Sequence, residues 1–202
     1  LDTSIFYQDF NRVSRQFKAL WHFLAISNST LVIPRVINME VKKGYQREAE
    51  KHFGNIKHAS KLLPDSVDIK MSLDELVIQY NKRWDELPKW NKSVVIKDYD
   101  TIKISELLER SIAERPPFGP HSRGFRDALI WESILSEIDE SESPVCFISG
   151  NSKDFGQIKL LEELQEEVDS RGKKLFYYND LGEFLKKHGE EFEFLDDKTI
   201  LT

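Results

Sequence analysis

Four acidic residues stand at positions where their carboxylates could act together. Asp2 and Asp154 come just past apolar, strand-like runs, Asp127 lies at the start of a helix, and Glu40 falls on the inward face of another helix. Four carboxylates in one low-dielectric cleft would repel each other by several kcal/mol unless cations neutralised them. Oxygen-only ligands suit hard ions such as Mg²⁺ or Mn²⁺. If the acids converge, the sequence predicts a one- or two-metal site for phosphodiester chemistry.

Each acid also has a simpler interpretation. Asp127 by itself is an acid in the first turn of a helix, where the helix dipole favours a negative charge. The spacing within one sequence does not show that the four positions meet in space, so this alternative stays open at this point.

A cation-rich loop precedes Asp127. The stretch RPPFGPHSRG, residues 115–124, is broken by three prolines and carries Arg123, and Arg126 follows two residues after its end, immediately before Asp127. Lys42 lies beside Glu40 on the side predicted to face solvent. Such cations next to an acidic site suit a phosphate backbone, and a solvated connecting loop is the alternative.

The elements that must position these residues alternate between helices and strands. Apolar residues at helical spacing predict helices at about 9–26, from Pro34 to about 47, at Gly124–Leu135 and at about 158–169 and 181–188. Short apolar runs predict strands at 31–33, 94–96, 145–149 and 174–178. The pattern indicates an α/β fold, a central and mostly parallel sheet flanked by helices in three layers. The segment at about 48–115 is mainly helical and is predicted to be an insertion that shapes a groove.

Composition limits the class of protein. The chain has 202 residues, 40% of them hydrophobic, which predicts one domain with a real core. The net charge of −6 argues against coating nucleic acid by bulk charge. A single cysteine excludes a disulfide framework and fits a reducing compartment, hence a cytoplasmic location. No apolar run approaches the length of a membrane span. Since Asp2 would normally follow a strand, the chain is interpreted as a domain excised from a longer protein.

The motifs LDTSIF, GFRDALIW and FISGNSKDF, with an inward Glu40 between the first two, together resemble the PIN-domain nucleases. The likeness is to the larger PIN-like proteins of bacterial toxin–antitoxin and antiviral defence systems, and it runs from residue 1 to about 180. It implies that residues 1–202 form a single PIN-like nuclease domain. Within that domain, the segment at about 48–115 is longer than in a minimal PIN domain.

Carried over by position, the resemblance makes Asp2, Glu40, Asp127 and Asp154 the catalytic metal ligands. The assignment of Glu40 is the weakest of the four. Ser4 matches a small polar residue that supports the first acid, where the family commonly has Asn, and Asn151 matches a polar residue near the last acid. Candidates to hold the substrate backbone are Lys42, Arg123, Arg126 and Lys153.

The implied activity is metal-dependent endonucleolytic cleavage of RNA with Mg²⁺ or Mn²⁺. Water attacks the phosphate and leaves a 5′-phosphate and a 3′-hydroxyl. Implied partners are single-stranded or structured RNA, including tRNA, together with an antitoxin or sensor protein and a second copy of the chain. No membrane partner is implied.

Two rival interpretations remain. A phosphatase of the haloacid-dehalogenase type would need a second Asp two residues after Asp2, and that position is Ser4. A non-catalytic PIN-like module that binds RNA or protein is the main alternative, although the presence of all four acids disfavours it.

Overall fold

The computed structural model describes residues 1–60 and 72–189, where helices alternate with four short strands. The strands are β1 (Leu31–Pro34), β2 (Val94–Lys97), β3 (Val145–Ile148) and β4 (Leu175–Tyr178). The helices of the first half are α1 (Thr3–Gln8), α2 (Arg15–Ser27), α3 (Arg35–Ser60), α4 (Leu73–Asp85) and α5 (Leu87–Trp90). The second half contains α6 (Ile104–Ile112), α7 (Phe125–Glu140), α8 (Ser152–Phe155), α9 (Glu162–Ser170) and α10 (Leu181–Gly189). The predicted α/β class is confirmed.

The four strands form two parallel pairs. In one pair Leu31 of β1 lies opposite Val94 of β2, and in the other Val145 of β3 lies opposite Leu175 of β4. The sequence predicted one central sheet, and within the described residues these strands instead make two separate two-stranded ladders. Both pairs nevertheless contribute to a single hydrophobic core.

A cleft of about 590 Å³ is lined by both β1 and β3. Helices α2, α7 and α10 complete its walls, and its surface is mainly apolar. Leu1 also lines this cleft, but none of the four acids does. The four predicted acids therefore lie outside this cleft.

The first predicted helix is broken in the structure. Instead of one helix over 9–26, α1 ends at Gln8 and α2 begins at Arg15. The Asp9 carboxylate accepts from the Ser14 backbone N–H at 2.7 Å, and the Ser14 hydroxyl caps α2. Arg12 between them has a φ of 58°. Asp and Ser side chains offer the backbone alternatives to helical hydrogen bonds, which the apolar spacing does not reveal.

Helix α7 is the central helix of the core. Its predicted stripe is buried, with Ile130, Trp131 and Ile138 each no more than 1% exposed. The helix extends to Glu140, two residues beyond Ile138, the last residue of the predicted stripe. Because this stripe packs into the core, the first turn of α7, which carries Asp127, is held against the core as well.

The predicted insertion is part of the core rather than an appendage. Its strand β2 pairs with β1, and its residues Tyr80 and Trp84 are at most 3% exposed. Residues 61–71 of the segment lie outside the described part of the chain. Among the described residues, no helix is long and apolar enough to cross a membrane.

Candidate active site

Asp2 is the most strongly anchored of the four acids. It is 3% exposed, and its backbone N–H donates to the Ile148 carbonyl at 2.9 Å, which ties it to the end of β3. One carboxylate oxygen caps α1 by accepting from the Thr3 N–H at 2.7 Å. The other accepts from the hydroxyls of Ser4 at 2.8 Å and Ser149 at 2.7 Å. Three donors therefore set the orientation of this buried carboxylate.

Glu40 reaches the site from α3. Its Oε2 accepts from the Thr3 hydroxyl at 2.7 Å, so Thr3 joins Glu40 to Asp2. Its Oε1 accepts from Arg126 Nη1 at 2.5 Å. The Glu40 side chain is only 15% exposed, whereas that of Arg126 is 68% exposed. The inward orientation of Glu40 predicted from helical spacing is thus observed.

Asp127 lies in the first turn of α7. The preceding Gly124 has a φ of 95°, and a Cβ there would lie 2.4 Å from the Pro117 carbonyl oxygen, so this entry into the helix requires glycine. Asn151 Nδ2 donates to Asp127 Oδ1 at 3.0 Å. The sequence placed Asn151 beside the last acid, and the structure shows it bonded to the third.

The pKa of Asp127 reflects its burial and the charges of the other three acids. Burial, followed by the negative charges of Asp154, Asp2 and Glu40, raises the pKa of Asp127 to about 6. Like charges shift a pKa in this way only over short distances. The structure therefore brings all four predicted acids into one electrostatic neighbourhood.

Asp154 lies on the short helix α8, which follows β3. The turn before it is held by the Gly150 N–H, which donates to Ser4 Oγ at 2.9 Å, and by the Asn151 N–H, which donates to Ser149 Oγ at 3.0 Å. The Gly150–Ser4 bond fastens the turn after β3 to α1, and the Asn151–Ser149 bond shapes the turn that leads to Asp154.

The predicted cations are placed differently from one another. Arg126 contacts Glu40, and Lys153 is exposed next to Asp154. Arg123 is exposed in the loop before α7. Lys42 is directed instead toward α4, where its Nζ lies 2.5 Å from Asp85 Oδ1. Of the four, Arg126 is the one in direct contact with a predicted acid, and Lys42 pairs with Asp85 instead.

Thr3 and Ser149 are the site residues that sequence reasoning missed. Thr3 links two of the acids, and Ser149, which is wholly buried, links Asp2 to the β3–α8 turn. The sequence could have indicated both residues, because Thr3 directly follows Asp2 and Ser149 ends the strand that leads to Asp154.

The donor set suits a hard divalent cation, because it consists of carboxylates whose mutual repulsion such an ion would relieve. As they stand, however, no three His, Cys, Asp or Glu side chains within residues 1–60 and 72–189 form a ready-made metal-binding group. At Glu40, both carboxylate oxygens already have partners, Arg126 on one and Thr3 on the other. A bound cation would have to compete with that ion pair.

Comparison with known proteins identifies the family. The family model described as PIN domain matches residues 1–155, so this chain belongs to the PIN-domain family. PIN domains are generally nucleases, usually with divalent metal ions, and the membership implies nucleic-acid binding. The comparisons with curated proteins and with solved structures gave no match.

Proposed function

We propose that this protein is a metal-dependent endoribonuclease that hydrolyses RNA at the site formed by Asp2, Glu40, Asp127 and Asp154. The observation that carries the proposal is the raised pKa of Asp127, to about 6, caused by burial and then by the charges of the other three acids. A fold does not keep four carboxylates together without cost, and perturbed acids of this kind cluster at functional sites.

The carboxylates have separate tasks in this proposal. Asp2, oriented by Thr3, Ser4 and Ser149, is the rigid ligand, and Asp127 and Asp154 complete the group that would hold Mg²⁺ or Mn²⁺. When bound, the ions would supply an activated water and neutralise the phosphate charge. Glu40 would join the looser part of the site once Arg126 turns away from it.

Once it has left Glu40, Arg126 is the main candidate among the cations to hold the RNA backbone. Its exposed guanidinium is next to Glu40 and can form paired hydrogen bonds with a phosphate. Lys153 and Arg123 extend the cationic rim, whereas Lys42 is committed to Asp85. The single cysteine fits action in the cytoplasm.

A second candidate function is a PIN-like module that binds RNA or protein without cutting it. The Arg126–Glu40 ion pair favours it, because this pair occupies a predicted metal ligand. A toxin or defence role, with an antitoxin, sensor or second copy as partner, would be compatible with either function.

Cleavage of labelled single-stranded RNA tests the proposal. We expect wild-type protein to cut with Mn²⁺ or Mg²⁺ and not with EDTA. Asp127→Asn should lower the rate by at least about 100-fold, because loss of a mere outer partner of a metal ligand already costs 10- to 100-fold. Asp139→Asn is the matched control, since Asp139 is an exposed acid that pairs with Arg171.

Metal-independent binding without cutting, from folded wild-type protein, would reject the nuclease and favour the module. Equal rates for Asp127→Asn and Asp139→Asn would reject the assigned site even if cutting occurred. Replacing the RNA by DNA of the same sequence would show whether the sugar matters.

A further inference from the structure

Tyr7 is an exposed aromatic residue held rigidly next to the carboxylate site. It lies near the end of α1, the helix that Asp2 caps, and it is 40% exposed. Its ring packs directly on Gly44 of α3, where an added Cβ would lie 2.5 Å from ring atom Cε1. A side chain at position 44 would therefore displace the Tyr7 ring. A ring held in this way loses little freedom when a ligand binds to it.

Polar contacts tie the same ring to the site. The Tyr7 hydroxyl donates to the Glu40 backbone carbonyl at 3.2 Å and accepts from Arg47 Nη2 at 3.5 Å. Burial raises the pKa of Tyr7, the charge of Glu40 raises it further, and Arg47 and Arg126 oppose the rise. The phenol therefore lies within reach of an acid of the site and of two cations.

Phe125 is a second exposed aromatic residue, close in the chain to the acids. It is the first residue of α7, directly before Arg126 and two positions before Asp127, and it is 54% exposed. Its ring centroid lies 6.3 Å from that of Phe118, which is 4% exposed and supports the ring from a small hydrophobic cluster. The next residue, Arg126, bonds to the Glu40 carboxylate, and the Glu40 carbonyl accepts from the Tyr7 hydroxyl.

We propose that Tyr7 and Phe125 are stacking platforms for two bases of a single-stranded RNA, and that Arg47 and Arg126 hold the phosphates next to them. The proposal rests on the proposed function, since it concerns the substrate of the same site. Aromatic faces combined with cations form the usual surface for single-stranded nucleic acid. A duplex hides its base faces, so this surface selects unpaired RNA.

Binding in EDTA tests the proposal without cleavage. A fluorescent single-stranded RNA of about ten nucleotides is titrated with the full chain, and anisotropy gives the Kd. We expect Tyr7→Leu and Phe125→Leu each to weaken binding by roughly 5- to 100-fold, the range for loss of one base–aromatic stack. Tyr7→Phe keeps the ring and should stay close to wild type. Trp90→Leu, at a 69% exposed aromatic residue on α5, is the matched control and should bind as wild type does.

An oligonucleotide with the same phosphates but abasic sugars separates stacking from charge. Wild-type protein should bind it weakly, and Tyr7→Leu should weaken that binding no further. Equal losses on normal and abasic RNA, or a loss in Tyr7→Phe as large as in Tyr7→Leu, would overturn the stacking role. Circular dichroism checks that each variant is folded.

The two proposals can fail separately. RNA that binds through Tyr7 but is never cut with Mn²⁺ would reject the nuclease and keep the stacking surface. RNA that is cut normally while Tyr7→Leu and Phe125→Leu bind it as wild type does would keep the nuclease and reject the stacking surface. Unchanged binding of RNA in all aromatic variants, with binding of a protein partner lost instead, would also reject it.

Discussion

The charges around Arg110 and those around Asp127 are both largely buried, but they are balanced in opposite ways. Arg110 has a side chain only 5% exposed and bonds to Glu132 at 2.9 Å, to Glu167 at 2.6 Å and to the Pro116 carbonyl. Trp131 Nε1 donates to the same Glu167 oxygen at 2.8 Å. Burial lowers the pKa of Arg110, but its bonds to Glu167 and Glu132 raise it overall. Every charge in this group has a direct partner.

The group around Asp127 has too few cations. Within residues 1–60 and 72–189, Arg126 forms the one ion pair with these four carboxylates, and burial together with the charges of the other three acids raises the pKa of Asp127. Neighbouring hydrogen bonds orient the acids without neutralising them. A buried network in which every charge has an opposite partner has a structural role. A buried cluster of like charges without enough counter-charge indicates a site for a cation or a charged ligand.

The largest effect on stability is expected at Arg110. Arg110→Met leaves Glu132 and Glu167 without their cation, and breaking a buried pair costs about 3–5 kcal/mol. Urea denaturation would measure the free energy of unfolding. Arg171→Met is the control, because Arg171 pairs with Asp139 at the surface and such a pair contributes at most about 1 kcal/mol. Equal losses in the two variants would remove the contrast between this network and an ordinary surface ion pair.

A divalent cation should stabilise the folded protein by binding to the acids around Asp127. At a Mn²⁺ concentration of 100 times its Kd, binding to the folded state adds about 2.7 kcal/mol, which is seen as a higher Tm. Asp127→Asn should lose most of this increase, and Asp139→Asn should keep it. A Tm rise of the same size in both variants would place the ion elsewhere on the protein.

The smallest effect is a pH dependence in the metal-free protein. The folded pKa of Asp127, about 6, lies above its ordinary value of 3.8, so the folded state binds this proton more tightly than the unfolded state does. The contribution of Asp127 to stability is therefore largest at low pH and is lost as the pH rises from about 4 to 6. Because Asp127 is partly exposed, we expect about 1 kcal/mol after solvent screening.

Asp127→Asn lacks this titration. The free energy of unfolding of the variant minus that of wild type should therefore increase between pH 4 and pH 6. The increase should persist at pH 7.5, as measured by urea denaturation at each pH. A difference between the two proteins that does not change with pH would show that the charge of Asp127 is not opposed by its neighbours.

Much of the fold and the identity of the acids could be read from local patterns. The stripe Ile130, Trp131, Ile134 and Ile138 predicted the buried face of α7, and apolar runs predicted all four strands to within two residues. These features depend on periodicity, which a single sequence contains. The break between α1 and α2 was missed because it depends on the side-chain bonds of Asp9 and Ser14.

The amino-acid sequence by itself determined which residues carry charge, which helical faces are apolar and where strands end. Only the tertiary structure decided which groups meet: Thr3 with Glu40, Ser149 with Asp2, Asn151 with Asp127, Arg126 with Glu40 and Lys42 with Asp85. All five pairs lie 24 to 147 positions apart in the chain. Such contacts arise when buried faces pack against each other, and local spacing contains no information about the partner.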